Sequence, residues 1–109
     1  MTRQPADEVR LHESLDLMIN ELPASDPKVK WIRDMEKVLA ENVYAGEQVQ
    51  KDRIPRKYIR SYGINNLYRY HHPKGFRSTY TVLTPTKGVY YVIILDLLSH
   101  KEYEDLFGY

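Results

Sequence analysis

A twelve-residue segment near the middle of the chain combines cations with aromatic rings. The cations are Lys51, Arg53, Arg56, Lys57 and Arg60, and the rings are Tyr58 and Tyr62. Lysine and arginine side chains neutralise phosphates, and tyrosine rings stack on unpaired bases. The segment therefore has the composition of a nucleic-acid contact. The same cations would equally suit an acidic segment of a partner protein, or an ordinary solvated face.

The distribution of charge supports a local anion-attracting surface. The formal net charge of the chain is only +1, yet residues 50–77 carry 8 basic and 1 acidic side chains, Arg69 and Arg77 among them. Residues 1–49 carry 6 basic and 10 acidic side chains, and residues 78–109 carry 2 and 4. Exposed charges are screened beyond about 10 Å. The basic stretch therefore attracts anions largely independently of the charges in the other parts of the chain.

Composition excludes several classes of function. The chain has no cysteine, so it forms neither disulfides nor thiolate metal sites, which fits a reducing compartment. The adjacent His71 and His72 would point to opposite faces of a strand, so we expect no zinc site and no cofactor. The apolar run Val89–Leu98 is too short to cross a bilayer. We therefore expect a cytoplasmic protein with one domain, residues 1–109, and no membrane partner.

Two helices are predicted in the first half of the chain. Apolar residues at helical spacing predict the first over Ala6–Leu22. Asp26 is a suitable N-cap and Pro27 a suitable first residue for the second, and Gly46 is placed to end that helix in a left-handed conformation. The short link predicts that the two helices are antiparallel neighbours.

Strands are predicted in the second half. Residues 47–66 have no clean period and are predicted as a loop with a short edge strand near Tyr58. Residues 67–71 and 76–83 predict a hairpin, and residues 89–97 predict the most buried, central strand. Ser99 and Glu102 form a capping box that begins a short helix, which Gly108 ends. The fold class is thus α+β: an N-terminal helical hairpin packed on a small antiparallel sheet, with a short C-terminal helix.

This order of elements resembles the RelE/ParE toxin superfamily. The segment Phe76-Arg77-Ser78-Thr79-Tyr80-Thr81-Val82 resembles that family's aromatic-Arg-x-x-Tyr strand. Val92-Ile93-Ile94-Leu95, followed by Ser99-His100-Lys101-Glu102-Tyr103, resembles its apolar last strand and His-Lys/Arg-Glu-x-Tyr ending. The resemblance covers the chain from about Leu11 onward, and the motifs that carry it are short.

The resemblance implies a toxin that cleaves mRNA without a metal ion, on the ribosome, and that an antitoxin protein neutralises. Arg77, His100 and Tyr103 match catalytic positions, with Arg77 as phosphate clamp, His100 as acid or base, and Tyr103 orienting or replacing it. RNA would be bound by the basic segment together with Arg69; the full set is Lys51, Arg53, Arg56, Lys57, Arg60 and Arg69.

A non-catalytic alternative stays open. Asp96 stands near the end of the last strand, where many nucleases of this family carry arginine, and its charge would repel phosphate. Arg77 and His100 are also suited to a solvated surface, and Tyr103 to a packing position on the sheet. The alternative is a RelE-fold binding module that engages a protein or nucleic acid through its basic segment.

Overall fold

The computed structural model describes residues 3–108 and has the α+β class that the sequence predicts. Within that range there are four α-helices and a five-stranded sheet, with short 3₁₀ turns at Lys51–Arg53 and Pro73–Gly75. The elements are β1 (Glu8–Leu11), α1 (Glu13–Glu21), α2 (Pro27–Glu41), β2 (Glu47–Gln48), α3 (Arg56–Tyr62), β3 (Tyr68–His71), β4 (Arg77–Leu83), β5 (Tyr91–Leu98) and α4 (His100–Phe107).

The sheet is mixed, so the prediction of an antiparallel sheet is wrong. Its strand order is β1-β5-β4-β3-β2, and β1 runs parallel to β5 while the other pairs are antiparallel.

The predicted first helix is also too long, because residues 8–11 form β1. Val9 and Leu11 alternate with Glu8 and Arg10, the two-residue period of a strand. The helix begins only at Glu13, after His12 accepts the Ser14 amide.

Helices α1 and α2 cover one face of the sheet. Their apolar residues, including Leu15, Ile19, Ile32, Met35 and Leu39, form one core with sheet residues such as Tyr80 and Val92. Asp26 accepts the Lys28 amide at 2.9 Å and Pro27 opens α2, as the sequence predicts.

Gly46 does not end α2. The helix stops at Glu41, and Gly46 is not among the glycines with positive φ. Instead a Cβ atom at Gly46 would lie 2.5 Å from the Arg69 carbonyl oxygen and 2.8 Å from the Tyr80 ring. Glycine is needed here for close approach of two backbones rather than for a left-handed turn.

Helices α3 and α4 cover the other face. Tyr58, predicted in an edge strand, lies instead in α3 and is fully buried. Pro55 precedes this helix and Gly63, at φ 62°, ends it. Tyr58 and Tyr62 lie one turn apart and pack into a second core with Leu67, Leu95 and Phe107.

From residue 67 onward, the type and order of the elements follow the prediction. Strands β3 and β4 form the predicted hairpin. Strand β5 lies inside the sheet between β1 and β4, but β4 is the middle strand and has the longer run of buried residues, so the prediction of β5 as the most buried, central strand is wrong. Both hydrogen bonds of the Ser99–Glu102 capping box are present, and Gly108 ends α4 at φ 77°. Within residues 3–108, no helix is long and apolar enough to cross a membrane.

A β-bulge determines where the end of β5 points. Thr79 pairs with Asp96 and Tyr80 pairs with Ile94, which leaves Leu95 as an extra residue on β5. Ile94 packs in the core under α1 and α2, whereas both Leu95 and Asp96 contact α3 residues. The bulge thus directs Asp96 to the α3/α4 face.

Candidate active site

A pocket of about 320 Å³ lies between the β3–β4 hairpin and α4. It brings together the three predicted catalytic residues, Arg77, His100 and Tyr103, and also Arg69. Glu47, His71 and Glu104 complete its lining. Side chains from β2, β3, β4 and α4 therefore converge on one concave site.

Arg77 lies at the centre of these contacts. As the first residue of β4, it pairs with His71 on β3 and with Leu98 on β5. Its Nη1 donates to the Gly75 carbonyl at 3.1 Å and lies 3.3 Å from Nδ1 of His100. Because a guanidinium only donates hydrogen bonds, Nδ1 of His100 is the accepting, unprotonated nitrogen in this contact.

His100 is held by the start of α4. It is the first residue after the Ser99 cap, and its Nε2 lies 3.3 Å from the Glu104 carboxylate one turn later. The hairpin turn packs closely against it, since a Cβ atom at Gly75 would lie 3.2 Å from the His100 Cβ. Gly75 also has φ 77°, so both space and backbone conformation favour glycine beside the imidazole. With 60% of its side chain exposed, His100 is accessible to a ligand.

Tyr103 forms the floor of the pocket. It is 3% exposed, and its ring packs on Phe107 with centroids 4.3 Å apart. The Arg77 guanidinium carbon lies 4.8 Å from the centre of the ring, a cation–π distance. Its hydroxyl accepts a hydrogen bond from Arg69 at 2.8 Å. Tyr103 is thus a packing anchor that also positions both arginines.

The Glu47 carboxylate links two cationic groups of the pocket. It lies 2.9 Å from Nε2 of His71 and 3.3 Å from the Arg69 guanidinium. The hydrogen bond from His71, followed by that from Arg69, lowers the pKa of Glu47, so this carboxyl group is ionised at neutral pH. His71 and Glu47 were not predicted as site residues.

Strand β3 carries a sequence signal for one of these residues. Residues 69 and 71 alternate with the buried Tyr68 and half-buried Tyr70, so strand periodicity alone places Arg69 and His71 on one face. Glu47, from the two-residue strand β2, and Glu104 have no comparable local signal.

The basic segment lies outside the pocket. Lys51 and Arg53 are exposed in a 3₁₀ turn, and Arg56, Lys57 and Arg60 are exposed on α3. The remaining predicted nucleic-acid contact, Arg69, lines the pocket instead. The six predicted RNA-binding residues therefore divide between two places.

The pocket and the basic segment lie on the same face of the sheet. The Phe107 ring of α4 packs on Tyr103 of the pocket and lies 6.5 Å from the Tyr58 ring of α3, centroid to centroid. A chain of aromatic contacts thus connects the pocket with α3, which carries Arg56, Lys57 and Arg60 of the basic segment and is called the basic helix below.

Asp96 contacts the basic helix. Its Oδ2 accepts hydrogen bonds from the Tyr58 hydroxyl at 2.9 Å and from Lys57 at 3.1 Å. Thr79 in turn donates to the Tyr58 hydroxyl at 3.0 Å. Burial is the main cause that raises the pKa of Tyr58, which keeps this phenol protonated as a donor. Asp96, whose charge was expected to repel phosphate, is therefore paired with Lys57. Its hydrogen bonds link α3 to β5.

Within residues 3–108, no three side chains of His, Cys, Asp or Glu are grouped so as to hold a metal ion. No family model matches the sequence, and neither a curated protein nor a solved structure matches the chain. The resemblance to the RelE/ParE superfamily thus stays a prediction.

Proposed function

We propose that this protein is a RelE-like toxin that cleaves mRNA on the ribosome without a metal ion, and that an antitoxin protein neutralises it. The observation that supports this proposal is the convergence of Arg77, His100 and Tyr103 from β4 and α4 in one open pocket. Arg77 belongs to one sequence motif, and His100 and Tyr103 belong to another.

The pocket holds groups suited to RNA cleavage by its own 2′-hydroxyl. Arg77 offers a planar fork of donors for two phosphate oxygens, and Arg69 supplies a second guanidinium for the negative charge that develops in the transition state. Nδ1 of His100 is an unprotonated acceptor 3.3 Å from Arg77. A phosphate bound by Arg77 would place the adjacent ribose near this nitrogen, which would accept the 2′-hydroxyl proton.

The basic helix α3 would bind RNA beyond the cleavage site. Arg56 and Arg60 lie one turn apart on its exposed surface. Neither side chain forms an ion pair with another residue in the range 3–108, unlike Lys57. Their positions suit contacts with successive backbone phosphates of a single strand.

Cleavage of labelled single-stranded RNA in the presence of EDTA tests this proposal, with the RNA offered free and on translating ribosomes. We expect fragments from the wild type, and at least a hundredfold slower cleavage by Arg77→Ala and His100→Ala. Arg33→Gln, an exposed site on α2 away from the pocket, is the matched control. In cells, induction should arrest growth and fragment mRNA only where cleavage is retained. Intact RNA in all arms would contradict the proposal.

A second candidate function is binding without catalysis. Ile59 is 48% exposed on α3, between Arg56 and Arg60. An apolar side chain flanked by cations suits an acidic, amphipathic segment of a protein partner. Stable binding of such a partner by a wild type that leaves RNA intact, with loss of binding in Ile59→Asp, would favour this function.

A further inference from the structure

A second imidazole lines the same pocket as His100. His71 is the last residue of β3 and stands directly opposite Arg77 in the β3–β4 ladder, so both side chains lie on the α3/α4 face. His100 reaches Arg77 from α4, which follows β5 on the other side of β4. A phosphate bound to Arg77 would therefore have one imidazole on each side.

The two imidazoles make different hydrogen bonds. Each has its own carboxylate: Glu47 lies 2.9 Å from Nε2 of His71, and Glu104 lies 3.3 Å from Nε2 of His100. The remaining nitrogen of His100, Nδ1, faces the Arg77 guanidinium and is held as an acceptor. Glu47 is ionised and only accepts, so Nε2 of His71 carries a proton toward it. In the imidazolium form, Nδ1 of His71 also carries a proton, and that proton can be donated to a bound ligand.

The charges around His71 come from several elements. Glu47 of β2, Arg69 of β3 and Arg77 of β4 face it, and α4 adds His100 and Glu104. Two arginines against two carboxylates make the pocket formally neutral when both imidazoles are neutral. Protonation of His71 would give the pocket a net positive charge, as a phosphodiester substrate requires.

Resting on the proposed RNA cleavage, we propose that His71 is the general acid of the reaction and His100 the general base. Nδ1 of His100 takes the proton of the 2′-hydroxyl as O2′ bonds to phosphorus. The bond from phosphorus to O5′ breaks, and O5′ takes the Nδ1 proton of His71. The products are a 2′,3′-cyclic phosphate and a 5′-hydroxyl, with His100 protonated and His71 neutral. Exchange with water restores both imidazoles.

An RNA with sulfur in place of the bridging 5′-oxygen at the mapped cleavage site tests these roles. A thiolate leaves without protonation, so the substrate needs no general acid. We expect His71→Ala to cleave ordinary RNA at least a hundredfold more slowly than wild type, but the sulfur-containing RNA at close to the wild-type rate. His100→Ala should be slow on both substrates. Lys101→Ala, an exposed residue of α4, should match the wild type.

The pH profile gives a second measurement. A general acid must be protonated, so His71 should cause the fall in rate at high pH, and His100 the fall at low pH. His71→Gln, which keeps a hydrogen-bond donor for Glu47, should lose only the fall at high pH. Imidazole added to His71→Ala should restore part of the rate.

The possible failures are distinguishable. If the wild type cleaves RNA but His71→Ala is equally active, or is equally slow on both substrates while remaining folded by circular dichroism, His71 is not the acid and the proposed function still stands. If the wild type cleaves neither RNA, the proposed function fails and the assignment of His71 falls with it.

Discussion

The Lys57 ammonium lies 3.1 Å from the Asp96 carboxylate and joins helix α3 to strand β5. The same carboxylate oxygen accepts the buried Tyr58 hydroxyl. This contact depends on the bulge at Leu95, which directs Asp96 toward α3. Asp96 therefore has a structural role on the face that carries the candidate site, and its charge is offset by a neighbouring cation.

Replacement of Asp96 should destabilise the fold. In Asp96→Ala the buried Tyr58 hydroxyl loses its acceptor, and we expect a loss of about 1 to 3 kcal/mol in the free energy of unfolding. Asp96→Asn keeps an acceptor and should lose less. Urea denaturation measures both. Asp105→Ala removes an exposed pair with Lys101 and should change stability by less than about 0.5 kcal/mol. Equal effects at the two sites would contradict this role for Asp96.

The basic helix should show unequal contributions from its cations to RNA binding. Arg60→Gln removes an exposed charge that has no ion pair within residues 3–108, whereas Lys57 is already paired with Asp96. We expect Arg60→Gln to reduce the slope of log affinity against log salt by about 0.7, and Lys57→Gln to reduce it less. Fluorescence anisotropy of a labelled single-stranded RNA at several salt concentrations measures this slope. Indistinguishable slopes for the two variants would argue against a backbone contact at Arg60.

Local signals in the sequence predicted the type of the elements after residue 66 well. Ser99 and Glu102 specify a helix start within four residues, and the β3–β4 hairpin has strand composition on both sides of its turn. The first strand was missed because Leu11 and Leu15 also fit a helical spacing. Helix α3 was missed because cations occupy most of its surface, so that Tyr58 is its only fully buried side chain.

The candidate site was predictable only in part. Arg77 and His100 follow from motifs that lie within contiguous segments, and strand alternation could have added His71. Glu47 joins His71 across 24 residues of sequence, through a strand of two residues that has no pattern of its own. The direction of Asp96 depends on a bulge, which arises from the pairing of β4 with β5 rather than from the sequence of β5 alone.

Gly46 should tolerate no side chain. The Cβ atom of Gly46→Ala would lie 2.5 Å from a backbone oxygen of Arg69, so β3 or the segment after α2 must move. We expect a loss of about 1 to 3 kcal/mol, as for overpacking in a core. Gly88→Ala meets no atom within 4 Å and has only the strain of its φ of 83°, so it should lose less, about 1 kcal/mol. Urea denaturation of both variants checks this order, and a Gly46→Ala protein as stable as the wild type would contradict it.

His72 should make the fold sensitive to mild acid. Its Nε2 lies 2.7 Å from the Oγ of buried Ser78, and Trp31 stacks on its ring. Burial, followed by the charge of His71, lowers the pKa of His72 to about 4. An unfolded histidine titrates near 6.5, so the unfolded chain binds the proton first as pH falls. The contribution of neutral His72 to the free energy of unfolding is therefore fully present above about pH 6.5. It falls by roughly 2 to 3 kcal/mol as the pH drops from about 6.5 to 4.

The variant His72→Gln separates this effect from other titrations. Glutamine keeps a hydrogen bond to Ser78 but carries no proton in this range, so its unfolding free energy should fall less between pH 7 and pH 4 than that of the wild type. Trp31 is the single tryptophan of the chain and contacts His72, so its fluorescence reports unfolding at this point. Parallel pH dependences for the two proteins would mean that His72 is accessible to protons in the folded state, contrary to its packing under Trp31.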